Sequence, residues 1–134
     1  MLKCAQLFID ELEAKNLNFD QRELDDGDCI VSVPYNGKNA RCIFSGDNGE
    51  YLSMYLQYEN VPKEKILEVL VACNELNCKY KWISFYVDKD NDIMLHDDAI
   101  LCPETAADET FELMVRMLKI MEDIKPVIMK AIYA

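Results

Sequence analysis

Three carboxylates at alternate positions, Asp88, Asp90 and Asp92, have the spacing that opens a calcium-binding loop, where such side chains converge on one hard cation. The continuation does not fit. Ile93 stands where that loop needs a glycine for its sharp turn, and Ala99 where a bidentate glutamate completes the shell. The run is expected instead to be a solvated hairpin loop, since Asp and Asn are good turn formers. His96, the only histidine, has an ordinary pKa near neutrality and beside a thiol could prepare a nucleophile. None of the six cysteines (Cys4, Cys29, Cys42, Cys73, Cys78, Cys102) lies in a glycine-rich strand-to-helix turn, so no second group converges on it in the sequence. Zinc is disfavoured by spacing, because Cys73 and Cys78 have four residues between them, no second close pair follows, and His96 is distant. Three of the four glycines fall in tight-turn dipeptides, which leaves no phosphate-binding loop. No catalytic residue, metal ligand or cofactor is assigned, and the cysteines are expected to be reduced core thiols.

A chain of 134 residues has the size of one domain, 1–134, and with 51% of it hydrophobic it can bury a core. Twenty-five acidic residues against fourteen basic ones give a formal net charge of −11, which repels phosphate backbones and anionic lipid heads alike. Nucleic acid and membrane are therefore poor partners. No apolar run approaches the ~20 residues of a membrane span, and Met1 to Asn16 alternates apolar with charged residues where an export signal would be continuous. The chain is expected to be cytoplasmic.

The elements that must position any site follow from periodicity. Leu2, Ala5, Ile9 and Leu12 recur at helical spacing and predict a helix over 2–15. From Phe19 to Tyr58 the period is two, cut by Asp26-Gly27, Asn36-Gly37 and Asn48-Gly49, which predicts four strands in a meander. A two-residue turn at Asn36-Gly37 sets Val33 against Ala40, Val31 against Cys42 and Cys29 against Phe44. At the next turn, only a three-residue loop, Asp47 to Gly49 with Gly49 left-handed, keeps one apolar face; it pairs Phe44 with Leu52, Cys42 with Met54 and Ala40 with Leu56. Pro62 opens a second helix with the stripe Ile66, Val69, Leu70, Cys73 and Leu76. Trp82 to Val87 and Ile93 to His96 then form a second hairpin around Lys89 to Asn91. Its alternation sets Ile83, Phe85, Val87, Ile93 and Leu95 on one face and Trp82, Tyr86, Met94 and His96 on the other. Thr105 or Asp108 caps a last helix through about Ile132, kinked at Pro126.

That last helix carries Phe111, Met114, Val115, Met117, Leu118, Ile120, Met121, Ile124, Val127, Ile128, Met129 and Ile132, a stripe wider than one sheet face covers. Methionine adapts to varied contacts. Met114, Met117 and Met121, with Trp82 and Tyr86, are therefore the expected partner-binding residues, and a second copy of the chain is the expected cover for the surplus.

The first helix, the meander, the Val61-Pro62-Lys63-Glu64-Lys65 opening, the leucine-rich helix ending Asn74-Glu75-Leu76-Asn77, the second hairpin and the long last helix together resemble the bacterial YbjN domain family, from about Leu2 to Ile132. Proteins of that family are similar in fold to type III secretion chaperones, small acidic homodimers that hold a partner chain in extended form. The resemblance implies an α+β fold, a single antiparallel sheet with helices on one face in the order α-ββββ-α-ββ-α, and it carries over no catalytic residue. The expected function is a non-enzymatic, homodimeric regulatory or chaperone-like module that presents apolar surface to a segment of a partner protein. The alternative is a small-ligand or thiol redox sensor using Trp82, Tyr86 and His96 or the free cysteines.

Overall fold

The computed structural model describes residues 1–134. Its meander consists of β1 (Asp20–Glu23), β2 (Cys29–Tyr35), β3 (Lys38–Ser45) and β4 (Tyr51–Asn60). Asn36 and Gly37 both take positive φ, as a type I′ turn requires, and Val33, Val31 and Cys29 stand opposite Ala40, Cys42 and Phe44. Gly49 lies at φ +75°, and Phe44, Cys42 and Ala40 meet Leu52, Met54 and Leu56, the register that keeps one apolar face. A side chain at Gly49 would also crowd the Leu2 and Phe44 side chains.

After Pro62 a single 3-10 turn, Lys63–Lys65, leads into α2 (Ile66–Lys79), preceded in the chain by α1 (Lys3–Ala14). The second hairpin is β5 (Ser84–Val87) and β6 (Asp92–Ile100). Its loop is held by the Asp88 carboxylate, which accepts from the backbone N–H of Asp90 at 3.0 Å and of Asp92 at 2.9 Å. All six strands are antiparallel neighbours in the order β1-β2-β3-β4-β6-β5. The later strand of the hairpin thus inserts beside β4, and β5 is left at the edge. There the Asn77 side chain of α2 stands in for a further strand: its Nδ2 donates to the Phe85 carbonyl at 2.9 Å, and its Oδ1 accepts the Phe85 N–H at 2.7 Å. At the opposite edge every residue of β1 is exposed.

The core takes its sheet side chains from one face only, Cys29, Val31, Cys42, Phe44, Leu52, Met54, Leu56, Phe85, Ile93 and Leu95 among them, and the helices cover that face. Phe8 of α1 meets Phe44 with ring centroids 6.0 Å apart. Each such side chain contributes roughly 1.5–3 kcal/mol by leaving water.

The last helical segment departs from the sequence expectation. It is not one kinked helix but two, α3 (Ala106–Asp123) and α4 (Lys125–Tyr133), with Pro126 in the first turn of α4. Proline has no N–H to give and its ring displaces the carbonyl one turn back, so the chain re-aims at Ile124. α3 then packs along α1, and α4 along α2. The break resolves the wide apolar stripe: two shorter stripes meet two different neighbours. Thr105 precedes α3, but its hydroxyl donates to the Glu109 carboxylate at 2.7 Å rather than capping a backbone amide. In α2, Leu70 is exposed instead of buried, because Val69, Ala72, Cys73 and Leu76 already define the inward face and Leu70 lies about 100° from its centre.

Candidate functional site

The face of the sheet that no helix covers carries Ile43, Tyr51, Tyr55, Tyr86, Met94, His96 and Ile100, because the parity that sends Phe44, Leu52, Met54 and Leu95 inward sends these outward. Tyr55 and His96 sit opposite one another on β4 and β6, their rings stacked parallel with centroids 4.5 Å apart, and Tyr86 meets the same imidazole edge-on at 6.3 Å. The Asp98 Oδ1 accepts from His96 Nε2 and from the Ser53 hydroxyl, both at 2.8 Å. The imidazole N–H is therefore on Nε2, and the ring is fixed by an aromatic stack on one side and a carboxylate on the other. Tyr51 and Ile100, opposite one another at the end of the same two strands, are exposed, Ile100 to 78%.

Trp82 does not join that face. The expected strand over 82–87 begins only at Ser84, and Trp82 takes φ +69°, which turns it out of the alternation. Its ring, 59% exposed, instead has the Arg116 guanidinium of α3 over it at 5.1 Å. The three methionines are elsewhere again: Met114, Met117 and Met121 lie on the inward face of α3 and are buried in the core. They shape the support beneath a surface rather than the surface. Of the five predicted partner residues, then, Tyr86 stands on the open face, Trp82 at a separate edge, and the methionines inside.

The exposed apolar side chains that the sequence reading missed are on the outer side of α2. Leu67 is 73% exposed, Leu70 and Val71 lie beside it, and Val127 of α4 joins Val71, Ala72 and Ala131 around a shallow hollow of about 410 Å³. The signal was present: Leu67, Leu70 and Val71 repeat at three and four, half a turn from the core stripe.

Four of the cysteines are core thiols, whereas Cys78 and Cys102, expected in the core, are exposed, Cys78 because it falls outside the inward face of α2 and Cys102 because it lies past the end of β6. Burial pushes Cys42 up to about 12 and Cys73 up to about 11, and raises Cys4 and Cys29. Cys102 is exposed, but its hydrogen bond to the Glu104 carboxylate also raises it. A reactive cysteine needs the opposite, a cationic setting that favours thiolate. No three His, Cys, Asp or Glu side chains converge closely enough to hold a metal ion.

The YbjN family model, described as "Putative bacterial sensory transduction regulator", matches residues 7–123. The chain belongs to the YbjN family. The match runs through α3 and leaves α4 outside it. No curated protein matches the chain. Among solved structures, YbjN from E. coli is similar over 95% of this chain and 90% of its own, with 14% identity and a TM-score of 0.60. The ExsC-ExsE complex gives 13% identity over 94% of this chain and 93% of that one, TM-score 0.50. The Yersinia pestis type III secretion chaperone SycH, solved with a stable fragment of YscM2, gives 12% identity over 87% and 98%, TM-score 0.51. At these identities the likeness is one of fold, and it places this YbjN-family chain in a type III secretion chaperone-like architecture.

Proposed function

We propose that this YbjN-family chain is a non-enzymatic regulatory module that pairs with a second copy of itself and holds a segment of a partner protein on apolar surface. The observation that carries the reading is where the apolar side chains are left over once the core is full: Leu67, Leu70 and Val71 on α2, and Tyr51, Tyr86 and Ile100 on or beside the uncovered sheet face. The first group suits a second copy, because the contact is helical and both sheet edges are blunted. Burying what these three side chains still expose on each copy contributes about 5–10 kcal/mol, within the range of an association cost of about 4–15 kcal/mol. The second group suits an extended segment, which can lie across aromatic rings held rigid by the Tyr55–His96 stack. ExsC and SycH, which share the architecture, were each solved with a partner, and that supports the same use here.

Sedimentation equilibrium at micromolar concentration tests the first half. A mass twice the monomer's 15.5 kDa is expected, falling to 15.5 kDa in Leu67→Glu/Val71→Glu with unchanged circular dichroism. A monomeric wild type refutes the pairing. A photo-crosslinking residue at Ile100 tests the second half: one defined partner segment captured there, and not from position Glu13 on α1, is the expected result. Equal capture at both positions refutes it.

A further inference from the structure

Strand β6 runs past the end of β5. The last pair is Ser84 with His96, so from Asp97 onward β6 has a neighbour only on its β4 side. Alongside that stretch, between it and α3, lies a cleft of about 510 Å³ with Trp82 in its lining. Five carboxylates line it, Asp97 and Asp98 from β6 and Asp108, Glu109 and Glu112 from α3, against one guanidinium, Arg116. Three of the five already accept from side-chain donors, and Asp97 accepts from the backbone N–H of Asp98. Asp98 accepts from Ser53 and His96, Glu109 from Thr105, and Glu112 from Arg116 through its Nε at 3.1 Å and its Nη2 at 3.0 Å.

Asp97 is different. It is only 6% exposed, and its Oδ2 has no hydrogen-bond partner. Opposite it on β4 is the fully buried Met54, so the strand partner offers no donor. A buried carboxylate oxygen left unsatisfied is costly; this one has almost no surface open to the cleft, so a ligand's donor recovers that cost once the Asp97 side chain turns toward it. The ligand is not a bare metal ion, because no three suitable side chains converge. An organic cation fits better, since a guanidinium or ammonium group brings several N–H donors and an apolar stem. The cleft supplies matching apolar surface in Leu113, Ala99 and Trp82. Arg116 over the Trp82 ring, with its N–H groups on Glu112, already displays within the chain the combination of ring and carboxylate that such a group needs.

We infer that this cleft receives an arginine or lysine side chain of the partner segment. The inference rests on the protein-binding reading above and assigns that segment a basic anchor at a fixed place beside β6. Burial, with the neighbouring Asp98 charge adding to it, raises the Asp97 carboxyl to about 6, and a cation bound beside it would favour the ionised form.

Trp82 is the only tryptophan, so its emission reports the cleft directly. The probes are acetyl-Ala-Arg-Ala-amide, acetyl-Ala-Lys-Ala-amide, the neutral analogue with citrulline in place of arginine, and spermidine. Saturable change with the arginine or lysine peptide is expected, with the citrulline peptide at least about tenfold weaker, as the loss of a charge-assisted hydrogen bond implies. Asp97→Asn and the more exposed Glu112→Gln should each weaken the charged peptide by a similar factor, while Asp26→Asn, in the distant β1–β2 turn, leaves it unchanged. Equal binding of the citrulline peptide, or unchanged affinity in both cleft variants, overturns the proposal. Spermidine binding tighter than either peptide also overturns it, because the source would then be a free polyamine. The test does not depend on self-association or on cross-linking at Ile100, so either reading can fail while the other stands.

Discussion

Asp97→Asn should stabilise the protein at neutral pH and remove part of its pH dependence. The carboxyl sits on the core-facing parity of β6, two residues beyond Leu95 and opposite Met54, and burial lifts it from 3.8 to about 6, with Asp98 adding to the shift while His96 and a backbone hydrogen bond oppose it. In the unfolded chain the group ionises near 3.8, in the folded chain near 6, so between these values the folded state holds one more proton. Stability therefore falls as pH rises through this window. A shift of about two units corresponds to about 3 kcal/mol, at 1.36 kcal/mol per unit. Urea denaturation of wild type and Asp97→Asn at a series of pH values from 3.5 to 8 isolates the term, because all other groups cancel in the difference. The variant should gain on the wild type by on the order of 2–3 kcal/mol across the series, with most of the gain between pH 4 and 6.5. A difference that stays flat would mean that Asp97 is solvated or paired in solution and not buried without a partner.

Three further outcomes follow from the packing. Met117→Asp places an unpaired charge at a fully buried position and should cost about 3–5 kcal/mol in chemical denaturation, whereas Met117→Leu should cost less than about 1.5 kcal/mol; equal, small effects would show that this face of α3 is open. Gly49→Val should cost on the order of 1–2 kcal/mol from its positive φ alone, with more from the 3.0 Å approach to Leu2 Cβ, and an unchanged melting temperature would reject the left-handed turn. Iodoacetamide applied to the native protein should label Cys78 and Cys102 and spare Cys4, Cys29, Cys42 and Cys73, as mass spectrometry after digestion would show; labelling of any of the four buried thiols at a comparable rate contradicts the core described above.

The register of the meander was legible because parity leaves only one solution. A shift of one residue at the Gly49 turn exchanges the two faces of β4, and only one choice sends Leu52, Met54 and Leu56 to the side of Phe44. Strand order beyond β4 was not, since nothing local distinguishes β5 from β6 as the neighbour of β4. The position of Trp82 was missed because a left-handed backbone at a tryptophan has no sequence signature, and alternation alone carried it onto the wrong face. The methionines were misplaced by treating 106–132 as one helix; once Ile124 divides it, their stripe narrows to what α1 and the sheet cover. Asp97 could have been found, because Ile93-x-Leu95-x-Asp97 puts a carboxylate in step with two core residues, and a charged group at core parity is the anomaly to look for.

The Asn77 side chain also bears on strand addition at the β5 edge. A sheet grows by adding strands at an edge whose N–H and C=O groups are free, and Ser84-Phe85-Tyr86-Val87, short and without charge, is a good template for such growth. The amide of Asn77 occupies the two outward backbone groups of Phe85 that an incoming chain would use first. At the far edge Asp20, Arg22 and Glu23 leave β1 able to pair only with a strand that tolerates three ions. The sheet is thus terminated at one end by a side-chain mimic of a peptide and at the other by charge, which disfavours open-ended growth through either edge.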